Sequence, residues 1–476
     1  MPPGHPIAAT LRRVDATDLA FAGAAEQARL LVAGSITAPA LVELYLERIS
    51  RVDREIRSYR VVMADSARRE AQAAQARLDA GERLPLLGVP VAIKDDADVA
   101  GEFTTYGSSA YDQAATADAE VVRRLREAGA VILGKTAVPE MMLWSFTETA
   151  AFGATRNPWD LAYTPGGSSG GSGAAVSAGL APLALGSDGA GSIRIPAAWC
   201  GIFGLKPQRD RVSLDPQSDT WCGLSVYGPL SRTVEDAALF LDVTNTAKAP
   251  RGGFVKAAKR EPGRLRIALS AKLPPLMVAR VGQPQQRALD RLEVLLRDLG
   301  HDVSWRDPDY PPWTIYGHVL PRMWHGVNTE MQKLPHPERL ESRTRAIARL
   351  GSLISERQIA RIRAAEATLA ARVQSVFDDV DVLITPATAT GPSRVGQYQN
   401  RGGLSTLASV AARVPFNAIA NATGQPAAVV PWFLEGESLP VSLQLVGRPS
   451  DEATLLSLSY QIESARPWAG RRPAVS

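Results

Sequence analysis

The chain has 476 residues, 45% of them hydrophobic and 21% charged, with a formal net charge of +4. That balance is globular rather than disordered and provides ample chain for a large core. The basic residues are scattered, with no run of about five or six, which gives nucleic-acid or anionic-membrane binding little support. No stretch of about 18 apolar residues is present to span a membrane. Cys200 and Cys222 are too few for a disulfide framework, and His5, His301, His318, His325 and His336 show no metal-ligand spacing. The opening MPPGHPIAATLRR lacks the basic-then-apolar order of a secretion signal, so a cytoplasmic protein is expected.

In chain order, Thr17 to Ala80 is rich in Ala, Leu, Glu and Arg, with apolar positions at helical spacing as in Leu41, Leu44, Tyr45 and Ile49. LLGVPVAIKDD (Leu86–Asp96) predicts a short buried strand, Val89 to Ile93, ending at Lys94. Asp118 is the expected cap of the helix AEVVRRLREAG, Gly129 its stop, and Ala130–Leu133 a second strand. Strand, helix and strand in succession argue an α/β fold. Further strands are expected at Arg266–Leu269, Val380–Pro386, Ala427–Trp432 and Val441–Gly447, with helices near Gln285–Leu299 and Asp451–Ala465. The stretch from Gly252 to Val373 differs in texture: it holds four of the five histidines, a DPDYPPW turn cluster and a long basic helix predicted around Leu340–Ala371. It reads as a peripheral insertion or lid on one main domain, and no repeat or linker divides the chain.

Thr164 to Ser192 carries the most information: 9 of its 29 residues are Gly and 6 are Ser. A flexible linker would not contain the apolar helix-like run Ala174–Gly179 or the strand-like run Ala181–Leu185. A phosphate loop would need a Lys after its glycines, which GGSSGGSG lacks. Gly167–Gly171 satisfies the GxSxG pattern of a nucleophile elbow, with Ser169 as nucleophile and a downstream acid and histidine required. A third reading joins Lys94, Ser168 and Ser192. A lysine ending a buried strand is poorly solvated, its pKa falls, and the neutral amine can serve as a base. A serine hydroxyl needs such a base to become a nucleophile. The small residues Gly189–Gly191 before Ser192 can turn backbone N–H groups toward a developing oxyanion.

Gly166–Pro207 resembles the signature of the amidase signature family, and Ile93–Asp96 resembles that family's catalytic-lysine segment. GKTAVPEM (Gly134–Met141), RNPWD (Arg156–Asp160), Pro415–Trp432 and Leu439–Pro449 are family-like as well, so the resemblance spans nearly the whole chain and is closest to actinobacterial-type amidases. It implies a central mixed β-sheet flanked by helices on both faces, forming one amidase domain over 1–476. Within it a helical region covers about 17–80, the signature core 86–247, the insertion 252–373, and a return to the core 374–476. By position, the resemblance makes Ser192 the acylated nucleophile, Ser168 the bridging serine on a cis peptide after Gly167, and Lys94 the terminal base. The backbone N–H groups of Gly189, Ala190, Gly191 and Ser192 would form the oxyanion hole, with Ala190 where many members have Gly. Asp188 and Arg194 would brace the loop, and Ser169 and Ser172 would support it. Met142, Trp144 and Phe146 are candidates for an apolar substrate pocket, and Trp221, Tyr227 and Thr314–His325 for its neighbourhood.

The implied activity is hydrolysis of linear carboxylic amides with aryl or apolar acyl groups, extending to anilides, esters or carbamates, with no metal and no organic cofactor. The expected partner is a small-molecule amide, and the expected state a monomer or homodimer. Alternatives are a glutaminase subunit of an amidotransferase complex, an esterase acting through Ser169, and a catalytically silent binding protein.

Overall fold

The computed structural model describes residues 15–476; the opening segment, with His5, lies outside the described residues. The strands run in chain order as β1 (Tyr59–Val62), β2 (Pro90–Lys94), β3 (Val131–Thr136), β4 (Glu148–Thr149), β5 (Gly153–Ala154), β6 (Leu183–Asp188) and β7 (Phe203–Lys206). They continue as β8 (Val226–Ser231), β9 (Arg266–Leu269), β10 (Asp302–Trp305), β11 (Val382–Pro386), β12 (Ala427–Trp432) and β13 (Val441–Gly447). Eleven of them form one sheet in the order β1-β3-β2-β6-β8-β7-β12-β13-β11-β9-β10, and β4 and β5 make a small hairpin. The sheet is mixed. β3, β2 and β6 are parallel neighbours, as are β11, β9 and β10, while β6, β8, β7, β12, β13 and β11 alternate in direction. Every residue of β2, β3, β7, β8, β11, β12 and β13 is buried, as expected of strands covered by helices.

The helices cover that sheet with their apolar stripes. In Ala38–Ile56, Leu41, Leu44, Tyr45, Ile49, Val52 and Ile56 are buried, and the Thr37 side chain caps the start by accepting from Ala40 N–H. The closing helix is Glu452–Ala465, with Asp451 as its cap. Among the described residues no helix is long and apolar enough to cross a membrane.

Several expectations shift. The region read as wholly helical is interrupted by β1, which adds antiparallel to β3 at the sheet edge. Asp118 does not cap the next helix, Glu120–Glu127; its carboxylate accepts from Ala100 N–H and pairs with Arg126. The basic helix is three helices, Ser342–Gly351, Glu356–Ala364 and Glu366–Gln374, because Ser355 and Gln358 form a capping box that starts a new one. The supposed insertion is divided: β9, the helix Gln283–Asp298 and β10 complete the sheet edge, and only the later part packs helices beyond it.

Candidate active site

Lys94 ends β2 and Ser187 lies near the end of β6, and these strands are parallel neighbours in register at Ala92 and Ala184. Both residues therefore emerge at the same carboxyl edge of the sheet, where open α/β sheets place their sites. The loop before the helix Gly170–Ser177 brings Ser168 to that edge, and the turn after β6 brings Ser192. The glycines of this loop reflect close approach. A Cβ on Gly171 would stand 2.3 Å from the Ala137 nitrogen and 2.4 Å from the Ser58 oxygen, and one on Gly167 2.4 Å from the Trp144 oxygen. The Gly167–Ser168 peptide is cis.

Lys94 is fully buried. Its Nζ lies 2.7 Å from Ser168 Oγ, 2.6 Å from Ser187 Oγ and 3.1 Å from Asp96 Oδ2. The Ser187 hydroxyl is donated to Asp96 Oδ2, so Ser187 Oγ can only accept from the lysine. Burial pushes the Lys94 amine below the usual lysine range; Asp96 and then Asp188 oppose the shift without reversing it. A neutral amine has two N–H groups and one lone pair. Ser187 Oγ and Asp96 Oδ2 accept from this nitrogen, the Ser187 carbonyl stands 3.5 Å away, and the remaining close neighbour is Ser168 Oγ. Ser187 and the pairing role of Asp96 escaped the sequence reading, although both lie inside the quoted motifs. The alternation of side chains along an extended chain was the available signal: Asp96 shares a side with Lys94, whereas Asp95 points to Lys135, at 3.0 Å, and Arg60, at 2.6 Å.

The turn carrying Ser192 is braced by a buried ion pair. Arg194 Nε and one terminal nitrogen lie 2.9 Å from the Asp188 oxygens, and the guanidinium also donates to Asn417 O, Gln444 Oε1 and Asn421 Oδ1. Burial alone would raise the Asp188 pKa, but Arg194 outweighs it and holds the carboxyl well below the usual range. The same carboxylate accepts from Gly191 N–H at 2.6 Å and Ile193 N–H at 3.2 Å. The Gly191 N–H, one of the four expected oxyanion donors, is thus hydrogen-bonded to Asp188.

Ser169 does not match the elbow reading. Its hydroxyl donates to the Ser187 carbonyl at 3.1 Å, and none of the described histidines is hydrogen-bonded to it: His301 meets Gln461, His325 meets Glu356 and His336 meets Asp112. Ser172 bonds the Leu185 carbonyl and Thr136, in the supporting role expected.

Two recesses meet at Met142, Ser192 and Trp221. One is small and polar, lined also by Asp96, Ser168, Gln217 and Tyr227. The other is apolar, lined by Trp144, Ile195, Ile315, Val319, Met323 and Val410 among others. Of the three pocket candidates, Met142 and Trp144 line it and Phe146 does not. Phe146 is fully buried and stacks between Trp144 and Tyr398, with ring centroids 6.0 and 4.6 Å away. Trp221 reaches both recesses and Tyr227 the polar one, while Thr314–His325 contributes Ile315, Val319, Leu320 and Met323 to the apolar wall. Cys200 and Cys222 are buried free thiols.

An eleven-stranded mixed sheet flanked by helices, with lysine and serine side chains gathered at one carboxyl edge, is the architecture of the amidase signature class. The family model described as Amidase matches residues 40–456, and the chain belongs to this family of amide hydrolases. It is 65% identical over 463 residues to the "Putative amidase AmiB2" of Mycobacterium tuberculosis, covering 97% of this chain and 100% of that one. Among solved structures it is similar to 6-aminohexanoate cyclic dimer hydrolase in complex with its substrate, with a TM-score of 0.86 and 30% identity over 96% of this chain and 99% of that one. It is likewise similar to a bacterial aryl acylamidase, with a TM-score of 0.83 and 26% identity over 95% and 99% of the two chains.

Proposed function

We propose that the protein hydrolyses carboxylic amides with aryl or other apolar acyl groups through an acyl-enzyme on Ser192. The observation that carries this reading is the partner set of Lys94: a buried amine whose nitrogen lies within hydrogen-bond reach of Ser187 Oγ, Asp96 Oδ2 and the Ser168 hydroxyl. In the reaction, Lys94 takes the Ser168 proton as Ser168 takes that of Ser192, and Ser192 Oγ attacks the carbonyl carbon. The N–H groups of Gly189, Ala190 and Ser192 stabilise the oxyanion. The C–N bond then breaks as the relay returns the proton to the leaving nitrogen, and water repeats the cycle on the ester to release the acid.

The apolar recess supports the preference for apolar acyl groups. It also disfavours the glutaminase alternative, since its lining carries no charged side chain to meet the charged α-groups of glutamine. Restriction to linear amides is not retained, because one solved relative is a hydrolase of a cyclic dimer. The test is labelling with a serine-reactive fluorophosphonate followed by peptide mapping, then a panel of amides, anilides, esters and carbamates. Label on Ser192 and turnover of apolar amides are expected; label on Ser169, or no preference for apolar acyl groups, would refute the reading. Because the base must be neutral, activity should rise from acid toward mildly alkaline pH, and an acidic optimum would count against Lys94.

A further inference from the structure

Trp221 stands at a junction that the reaction scheme does not use. Besides the polar and apolar recesses, it lines a third space, an outer cleft bordered by Tyr111, Asp219, Lys333 and Arg363 among others. Of the residues around the apolar recess, Trp221 is the one that also borders this cleft. The two spaces differ in size and in chemistry. The apolar recess holds about 90 Å³ and no charged side chain, whereas the cleft holds about 530 Å³ and several. Trp221 is therefore the partition between an apolar space and a polar one.

Its indole is wedged between two glycines. A Cβ on Gly189, in the turn before Ser192, would stand 2.7 Å from the indole Cε3. A Cβ on Gly326, in the helix Leu320–Gln332, would stand 2.7 Å from the Trp221 Cα and 3.1 Å from its Cδ1. Neither position has room for a side chain while Trp221 stays where it is.

The backbone beneath the indole is strained. Trp221 and Cys222 have φ of 54° and 53°, and Gly223 follows at 79°. Two successive non-glycine residues in the left-handed region are costly, and such a turn persists only where its surroundings over-determine it. Arg322, on the same helix as Gly326, supplies the restraint. Fully buried, it donates to the Cys222 carbonyl through Nε at 2.9 Å and a terminal nitrogen at 2.6 Å. Its other terminal nitrogen pairs with Glu366 at 2.8 Å, and Glu366 is held in turn by Arg209. A planar fork fixes direction as well as distance, which the single ammonium of a lysine does not.

Building on the Ser192 acyl-enzyme reading, we propose that Trp221 determines acyl specificity by closing the apolar recess against the outer cleft, and that Arg322 and the helix carrying it are what position that wall. The closed recess accepts a chain that ends in carbon. It rejects one that ends in a charged group, which would be buried there without a partner. With the indole removed, the same charged chain can run on into the cleft, where its end meets water and polar side chains.

The experiment compares kcat/KM for two unbranched acyl groups of equal length on one leaving amine, octanoyl and ω-aminooctanoyl, in the wild type, Trp221→Ala, Arg322→Lys and Gly326→Ala. The wild type should favour octanoyl by at least about a hundredfold, because the ammonium has no partner in the recess. Trp221→Ala should narrow that ratio by at least about tenfold, and a smaller change would overturn the partition. Arg322→Lys keeps the charge beside Glu366 but loses the fork, and it should narrow the ratio by at least about threefold. Gly326→Ala presses a methyl on Trp221 without disturbing a buried charge, so it tests the same placement should Arg322→Lys not fold, and the same threefold is expected. An unchanged ratio would overturn the positioning role, since a contact that is merely structural lowers both substrates together. The underlying reading fails differently. A wild type with no preference for octanoyl refutes the seating of the acyl group in the apolar recess, and fluorophosphonate label away from Ser192 refutes the nucleophile. A wild-type preference that survives intact in Trp221→Ala refutes the partition alone.

Discussion

The ion pair behind the nucleophile offers the sharpest test of how this site is held. Asp188 and Arg194 are both fully buried, and the carboxylate receives five donors: two N–H groups of the guanidinium, the backbone N–H of Gly191 and Ile193, and the Asn421 amide. Asp188→Asn preserves the shape but turns one oxygen into an NH2 that faces donors, and it leaves the guanidinium charge without its counter-ion. Asn417, Gln444 and Asn421 remain as acceptors for Arg194, but all are neutral. Breaking a buried pair from one side costs about 3–5 kcal/mol, a change of two to nearly four decades in the folding equilibrium. Urea unfolding followed by circular dichroism measures it directly. The sign of the pH dependence is fixed by the lowered carboxyl pKa. The contribution is complete above the unfolded value of about 3.9 and is lost only as pH falls through the lower folded value. The gap between wild type and variant should thus be constant from about pH 5 upward. The substitution also removes the acceptor of one of the two N–H groups that flank Ser192, so kcat should fall in protein that remains folded. A loss below about 1 kcal/mol at pH 7, or full activity, would refute the claim that this pair holds the nucleophile turn.

Ser192→Ala and Lys94→Ala should each abolish turnover, while Ser169→Ala, which removes only a bond to the Ser187 carbonyl, should keep substantial activity in a steady-state assay. Lengthening an unbranched acyl group should raise kcat/KM by about fourfold per methylene, from about 0.8 kcal/mol each, until the apolar recess is full; a flat series would refute its assignment to the acyl group. Burial raises the Glu463 carboxyl to about 8, with Asp236 and Glu235 adding to the effect and only Val234 N–H opposing it. A raised carboxyl stabilises the fold below its unfolded value of about 4.3 and loses that contribution as pH climbs to about 8. Glu463→Gln should therefore gain stability relative to wild type at pH 9 compared with pH 5, checked by thermal unfolding across that range.

Local pattern was enough for much of this molecule. Arg266–Leu269, Ala427–Trp432 and Val441–Gly447 are strands at the residues read from sequence, because a short apolar run between turn residues states its own burial. Lys94, Ser168 and Ser192 were likewise legible as candidates, one from a lysine at the end of an apolar strand and two from an unusual density of small residues. What local pattern could not supply were facts settled by distant segments. β1 is four residues of ordinary composition, and pairing with β3 made it a strand. Phe146 looked like pocket lining until Tyr398 packed against it. Lys94 meets Ser168 across 74 positions and Ser187 across 93, and no periodicity encodes such meetings. The sequence alone determined which side chains could do chemistry, because that is a property of residue type and immediate setting. Only the tertiary structure decided which of their hydrogen-bonding groups remain free: the Gly191 N–H is consumed by Asp188, and Asp96 keeps one oxygen unbonded among the described residues, because occupancy depends on every neighbour the fold brings within about 3 Å.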